Sequence, residues 1–147
     1  QLSGQDGIHG LWEGQLPETF RDSYDLRPRH ARYIKDVGEA MWKVVFASHA
    51  AVDSVLRVEL EVSAAMEPTE KFGFIERGRV LEKRYSPMFC SAYHEGLNGM
   101  VERQLVASIE LTSDLWYSAW LEAGCPALPT PTAPASRFKR WLQWLTG

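Results

Sequence analysis

Residues 86–123, SPMFCSAYHEGLNGMVERQLVASIELTSDLWYSAWLEA, hold the longest periodic apolar pattern in the chain and decide the expected fold. Ser86-Pro87 is a helix-start signal, a capping residue followed by proline in the first turn. From there Phe89, Ala92, Tyr93, Leu97, Met100, Val101, Leu105, Ile109, Leu111, Trp116, Ala119 and Trp120 recur at helical spacing until Gly124-Cys125-Pro126 stops the pattern. The spacing predicts one continuous helix over 88–123. Asn98-Gly99 inside it are poor helix formers, and with Gly96 they mark a place where another helix packs closely.

Upstream, Ile34, Val37, Met41, Val44, Val45, Ser48, Val52, Val55, Leu56 and Val62 keep near-3.6 spacing. They predict a second long helix over 30–66, ended by Glu67-Pro68-Thr69 and weakest at Gly38. Two long helices that face each other, joined by shorter ones, give an all-α bundle as the expected fold class. A first short helix over 9–20 places Trp12, Leu16 and Phe20 in one stripe, with Pro17 expected to kink or split it. Residues 24–29 read as a connection. The stretch 72–84 alternates apolar and charged residues around Gly73 and Gly78, and a short helix is preferred over a hairpin there.

Three segments follow: a helical domain over 1–128, a Pro-rich linker over 129–136, and a tail over 137–147. Residues 137–145, RFKRWLQWL, are basic, aromatic and amphipathic, and are expected to form a short helix docked back on the bundle or a disordered tail. Contact with a membrane surface, a nucleic acid strand or a partner protein is the other role open to them.

With 147 residues, 45% hydrophobic and 24% charged, the chain has the composition of one globular domain with a real core. Its 16 basic and 19 acidic residues leave a net charge of -3, too little positive field for a dedicated duplex-DNA binder. An enzyme that meets phosphate through metal ions escapes that exclusion. No apolar run is long enough to span a membrane. The opening Gln1-Leu2-Ser3-Gly4-Gln5-Asp6-Gly7 lacks a signal-peptide layout and reads as the middle of a loop, so the sequence is expected to be a fragment. Cys90 and Cys125 would lie on the order of 50 Å apart on a continuous helix, which makes both free thiols. No Cys-x-x-Cys pair, glycine-rich phosphate loop or spacing-defined nucleophilic triad is present.

The chemistry-bearing pair is His9 and Glu13, in Gly7-Ile8-His9-Gly10-Leu11-Trp12-Glu13. Four residues apart on a helix, an imidazole nitrogen and a carboxylate oxygen converge on one cation. Catalytic zinc takes three protein ligands and leaves a position for water, so this pair is half a site. His49 and Asp53 repeat the spacing, and read as a helix-stabilising hydrogen bond, an orienting pair or a second ligand pair. His94, with Glu95 and Glu102, reads as a core-edge histidine, and His30 as exposed. Tyr93, Trp116, Tyr117 and Trp120 read as core aromatics.

Four blocks together resemble the zinc-dependent phospholipase C and single-strand nuclease superfamily in its bacterial form: residues 7–13, 48–56 (SHAAVDSVL), 93–103 (YHEGLNGMVER) and 116–124 (WYSAWLEAG). The likeness covers residues 1 to about 128 and leaves out the Pro-rich tail. It implies a helical fold with a three-zinc cluster that hydrolyses phosphoester bonds, and His9 and Glu13, with Trp12 just before the acid, match the family's ligand motif. It also implies single-stranded nucleic acid or phospholipid as substrate of the complete enzyme, and a secreted or periplasmic location. The family's other ligands lie upstream of this motif, so the chain resembles a carboxy-terminal half, with no appreciable catalysis expected of it alone. A non-catalytic helical module acting through the aromatic basic tail is the alternative.

Overall fold

The computed structural model describes Gln5 and residues 7–128. The Pro-rich linker over 129–136 and the tail over 137–147 lie outside these residues, so the docking expected of the tail is not addressed by the fold.

The first helix, α1 (8–20), is α-helical over Ile8–Gly10 and Leu16–Phe20, with a π turn over Leu11–Gln15 between them. Pro17 accounts for the widening. It has no N–H for the Glu13 carbonyl, and in a regular α-helix its ring would crowd that carbonyl. The backbone opens by one residue instead, and Leu16 N–H reaches the Leu11 carbonyl. Leu11 and Leu16 at the two ends of the widened turn are fully buried, and Trp12 and Phe20 pack partly buried against the same core.

The expected long helix over 30–66 is two helices, α2 (Val37–Ala50) and α3 (Val52–Ala64), preceded by extended chain. Residues 29–34 are not helical because their backbone donors go elsewhere. Arg32 N–H bonds Asp114 Oδ1 at 2.7 Å and Ile34 N–H bonds Ser118 Oγ at 2.8 Å. Arg29 clamps Asp114 through both guanidinium nitrogens, at 2.8 and 2.5 Å, and so straps the segment along the last helix. Asp36 then caps α2 by accepting Glu39 N–H at 2.9 Å. The links Ile34–Ser118 and Ser48–Gln104 run in opposite order along the two segments, so α2 lies antiparallel to the last helix. No residue of α2 is buried, and Val37, Met41, Trp42, Val45 and Phe46 all face away from the core.

An all-α bundle is corrected to helices with a small antiparallel sheet. The stretch read as a short helix is a hairpin, β1 (Phe72–Arg77) paired with β2 (Val80–Tyr85) in a register that sets Phe72 opposite Tyr85 and Arg77 opposite Val80. The register leaves Gly78-Arg79 as a two-residue loop, and Gly78 takes φ 66° at its first position, where a side chain is disfavoured. Only the Tyr85 end of β2 is buried, and the alternation of apolar and charged residues over 72–84 is the strand signal that the short-helix preference set aside.

The expected helix over 88–123 is also two, α4 (Pro87–Gly96) and α5 (Met100–Glu122). Ser86 caps α4 as expected, its Oγ accepting Phe89 N–H at 3.1 Å. The break falls at Asn98 (φ 48°) and Gly99 (φ 71°), both left-handed. Gly96 serves close packing: a Cβ there would lie 2.6 Å from Val58 Cγ1, so α4 sits against α3 where no side chain intervenes. Phe72, Tyr85, Phe89 and Tyr93 form a row of ring contacts 4.8–6.0 Å apart through the core, closed by Tyr93 Oη donating to the Val55 carbonyl at 2.9 Å. Cys90 is buried, which raises its thiol pKa to about 11, while Cys125 is exposed, and both are free.

Candidate metal centre

His9 and Glu13 project from the solvent side of α1, opposite Leu11 and Leu16. His9 Nε2 lies 3.4 Å from Glu13 Oε2, and the side chains are 83% and 60% exposed. Metal–ligand bonds of 2.0–2.2 Å at a tetrahedral angle put two zinc ligands about 3.4 Å apart. Nε2 and Oε2 stand at that spacing. Among the described residues no group of three or more His, Cys, Asp or Glu side chains converges as a metal site.

A groove of about 480 Å³ opens beside the pair. Ile8 and Trp12 of α1 form one wall with His9 and Glu13, while Val52, Val55 and Leu56 of α3 form the apolar opposite side. Ser48, Gln104 and Ser108 add neutral polar groups, and none of the lining residues is Lys or Arg. Trp12 Nε1 is buried and has no hydrogen-bond partner among the described residues.

Buried polar ties fix the start and end of α1. Gln5 Nε2 donates to the Leu56 carbonyl at 2.9 Å and to Glu59. The Glu59 carboxylate is 1% exposed and also accepts from Lys71 Nζ at 2.6 Å and Ser63 Oγ at 3.0 Å. Burial pushes its pKa up, but the bonds from Lys71, Gln5 and Ser63 outweigh burial and hold it below the ordinary glutamate value. At the other end, Phe20 stacks on His94 at 4.0 Å, and His94 Nε2 lies 3.0 Å from Tyr24 Oη. Burial lowers the His94 pKa against the opposing pull of Glu102. His94 thus holds the end of α1 as a core-edge residue and does not line the groove.

His49 and Asp53 do not act together. The helix breaks at Ala51 between them, both stay exposed, and no hydrogen bond joins them. Their neighbours Ser48 and Val52, not they, face the groove. Sequence reasoning passed over Gln15, Glu59 and Asp114. Asp114 and Ser118, four apart and both buried, each receive a backbone N–H from the strap, and among the several polar residues of this helix nothing in the sequence sets them apart. The Arg29 bonds beside Asp114 take its pKa down to about 2, against the upward push of burial.

No family model, curated protein or solved structure matches this chain.

Proposed function

We propose that the chain contributes two ligands, His9 and Glu13, to a zinc centre of a phosphoester hydrolase whose remaining ligands come from polypeptide outside the described residues. The supporting observation is the 3.4 Å separation of Nε2 and Oε2, the spacing of adjacent ligands on a tetrahedral ion. Resemblance of the surrounding blocks to the zinc-dependent phospholipase C and single-strand nuclease superfamily supplies the reaction class. Single-stranded nucleic acid or phospholipid is the proposed substrate of the completed enzyme, and a secreted or periplasmic setting its proposed location. Among the described residues no helix is long and apolar enough to cross a membrane.

When bound, zinc supplies Lewis-acid charge for a phosphoryl oxygen and makes water nucleophilic at neutral pH. The chain's residues do the rest. His9 and Glu13 present an imidazole nitrogen and a carboxylate oxygen on one exposed turn, and Trp12 between them forms a wall of the groove. With no Lys or Arg in the lining, phosphate charge in the groove has to be met by metal rather than by side chains. A two-ligand site gives this chain no appreciable activity on its own.

Equilibrium dialysis against zinc with elemental analysis tests the assignment on the native chain and on His9→Ala and Glu13→Ala. Zinc taken up by the native chain and lost from both variants is the expected result; uptake that survives both substitutions would place the metal elsewhere.

A further inference from the structure

We propose that the apolar face of α2 is the docking site of the chain's own segment 138–145. The inference stands apart from the metal assignment and uses neither His9 nor Glu13. Val37, Met41 and Val45 follow one another at four-residue steps, and Trp42 and Phe46 repeat the step one position on, so the five lie on one side of the helix. They are 40–66% exposed, and Trp42 stacks on Phe46 with ring centroids 5.6 Å apart. Single apolar residues on a surface are ordinary, whereas a continuous row of five marks an interaction surface.

The occupant follows from where the described chain ends. Tyr33 Oη donates to Glu122 Oε1 at 3.2 Å, which sets the last turn of α5 beside the residues that lead into α2. The chain then turns back on α5: Cys125 N–H bonds the Trp120 carbonyl at 3.0 Å, and Trp120 Nε1 donates to the Pro126 carbonyl at 2.9 Å. Residues 129–136 therefore depart from the end of α5 that adjoins the start of α2. Eight residues at about 3.1 Å each reach about 25 Å, and the 14 residues of α2 span about 21 Å, so the linker is long enough to lay the next segment along that face. In that segment Phe138, Trp141, Leu142 and Leu145 recur at steps of three and four, which gathers them on one side of a helix with Arg140 and Gln143 on the other. Docking the apolar side on α2 covers both faces and leaves the charged heads in water. Every acidic residue of the chain precedes residue 123, while the charged residues beyond it are Arg137, Lys139 and Arg140, so the field of the folded part attracts the tail. A tethered segment meets its site at an effective concentration on the order of millimolar, and at micromolar protein it outcompetes a second copy.

The test is photo-crosslinking in the full chain, with p-benzoylphenylalanine in place of Phe46 or, for comparison, of Trp116, and linked peptides mapped by mass spectrometry. Trp116 is 76% exposed one turn before Trp120, so a tail that only sweeps the surface would strike it as readily. The expected result is links from position 46 to residues 138–145 of the same chain, in excess of those from position 116. Trp141→Ser should cut the yield at position 46 roughly tenfold, the effect of losing one buried aromatic side chain, and leave the yield at position 116 unchanged. Equal yields from the two positions overturn the proposal, as does a yield at position 46 indifferent to Trp141→Ser. Links between two chains that rise with concentration overturn it too, and give the face to a second copy. Absence of any link from position 46 to the tail overturns it in favour of a separate partner. None of these readings depends on zinc, so failure here leaves the metal assignment standing.

Discussion

Glu59 is 1% exposed, with its carboxylate shared among Lys71, Ser63 and Gln5, whereas Glu13 is 60% exposed and meets His9 at 3.4 Å. The two glutamates stand on helices that border the same groove. One has its acceptor capacity filled by protein donors, and this is what a buried anion requires. The other keeps lone pairs free on the rim of a groove without a basic residue. A carboxylate surrounded by donors holds the fold, while one left open beside an imidazole can hold a cation.

The comparison breaks first at Glu59. Glu59→Ala leaves Lys71 facing the core without its counter-charge and frees the Gln5 tie. The expected loss is roughly 3 kcal/mol, the low end for a broken buried pair because Lys71 keeps 22% exposure and can turn to water. Urea unfolding followed by circular dichroism reads it as a lower midpoint with the slope unchanged. A stability loss under about 0.5 kcal/mol would mean that Glu59 is no more structural than a surface carboxylate.

Gly96→Ala attacks the same region through packing. The added methyl meets Val58 Cγ1 at 2.6 Å, next to Glu59 on α3, so the Val58 side chain or the two helices must shift. Overpacking of this kind costs about 1–3 kcal/mol. The double substitution Gly96→Ala with Val58→Ala is expected to recover part of that loss, because the shortened Val58 makes room. No recovery in thermal melts would show that the contact is not the cause.

Acid sharpens the contrast further. Glu59 is held below its unfolded value of 4.5, and Asp114 is brought from 3.8 to about 2 by Arg29. A folded pKa below the unfolded one adds stability that is complete above the unfolded value and lost as pH falls through the folded value. Stability should therefore decline from about pH 4.5 downward, with the Asp114 share persisting until about pH 2. His94 acts in the same direction at higher pH, since its lowered pKa makes the unfolded state bind the proton first below its ordinary value of 6.5. In Glu59→Gln the decline near pH 4.5 should flatten; an unaltered slope would remove Glu59 from the acid response.

How much of this was legible follows from where the signals sit. The Ser86 cap, the apolar stripe of α1 and the His9–Glu13 pair are local patterns, and local patterns are visible along a chain. The breaks at Ala51 and at Asn98-Gly99 were hidden because apolar periodicity continues on both sides of each. Asn98-Gly99 did carry the mark of a break in two residues that tolerate positive φ. The extended strap over 29–34 was illegible, since its backbone donors are satisfied by Asp114 and Ser118, more than 80 residues away in sequence. The hairpin was legible in the alternation over 72–84 and in Gly78, which takes φ 66° in the two-residue loop, and was misread when a short helix was preferred. Gln15 Nε2 donates to the Tyr85 carbonyl at 2.7 Å and Gln15 Oε1 accepts Tyr85 N–H at 3.2 Å, across 70 residues of sequence, and no spacing rule announces that tie.

The smallest effect on stability is the most informative about Glu13. Glu13→Gln and His9→Ala remove an exposed pair, and such pairs are worth about 0–1 kcal/mol. Without metal both variants should melt within about 4 °C of the native chain, since 1 kcal/mol moves the melting temperature of a domain of this size by about that much. Zinc changes the comparison. A ligand bound only by the folded state stabilises it by about 2.7 kcal/mol at one hundred times its dissociation constant, so the native chain's melting temperature should rise with zinc while both variants stay where they were. Equal rises in all three would assign the zinc to another site, and a large loss in Glu13→Gln without metal would make Glu13 structural after all, erasing its difference from Glu59.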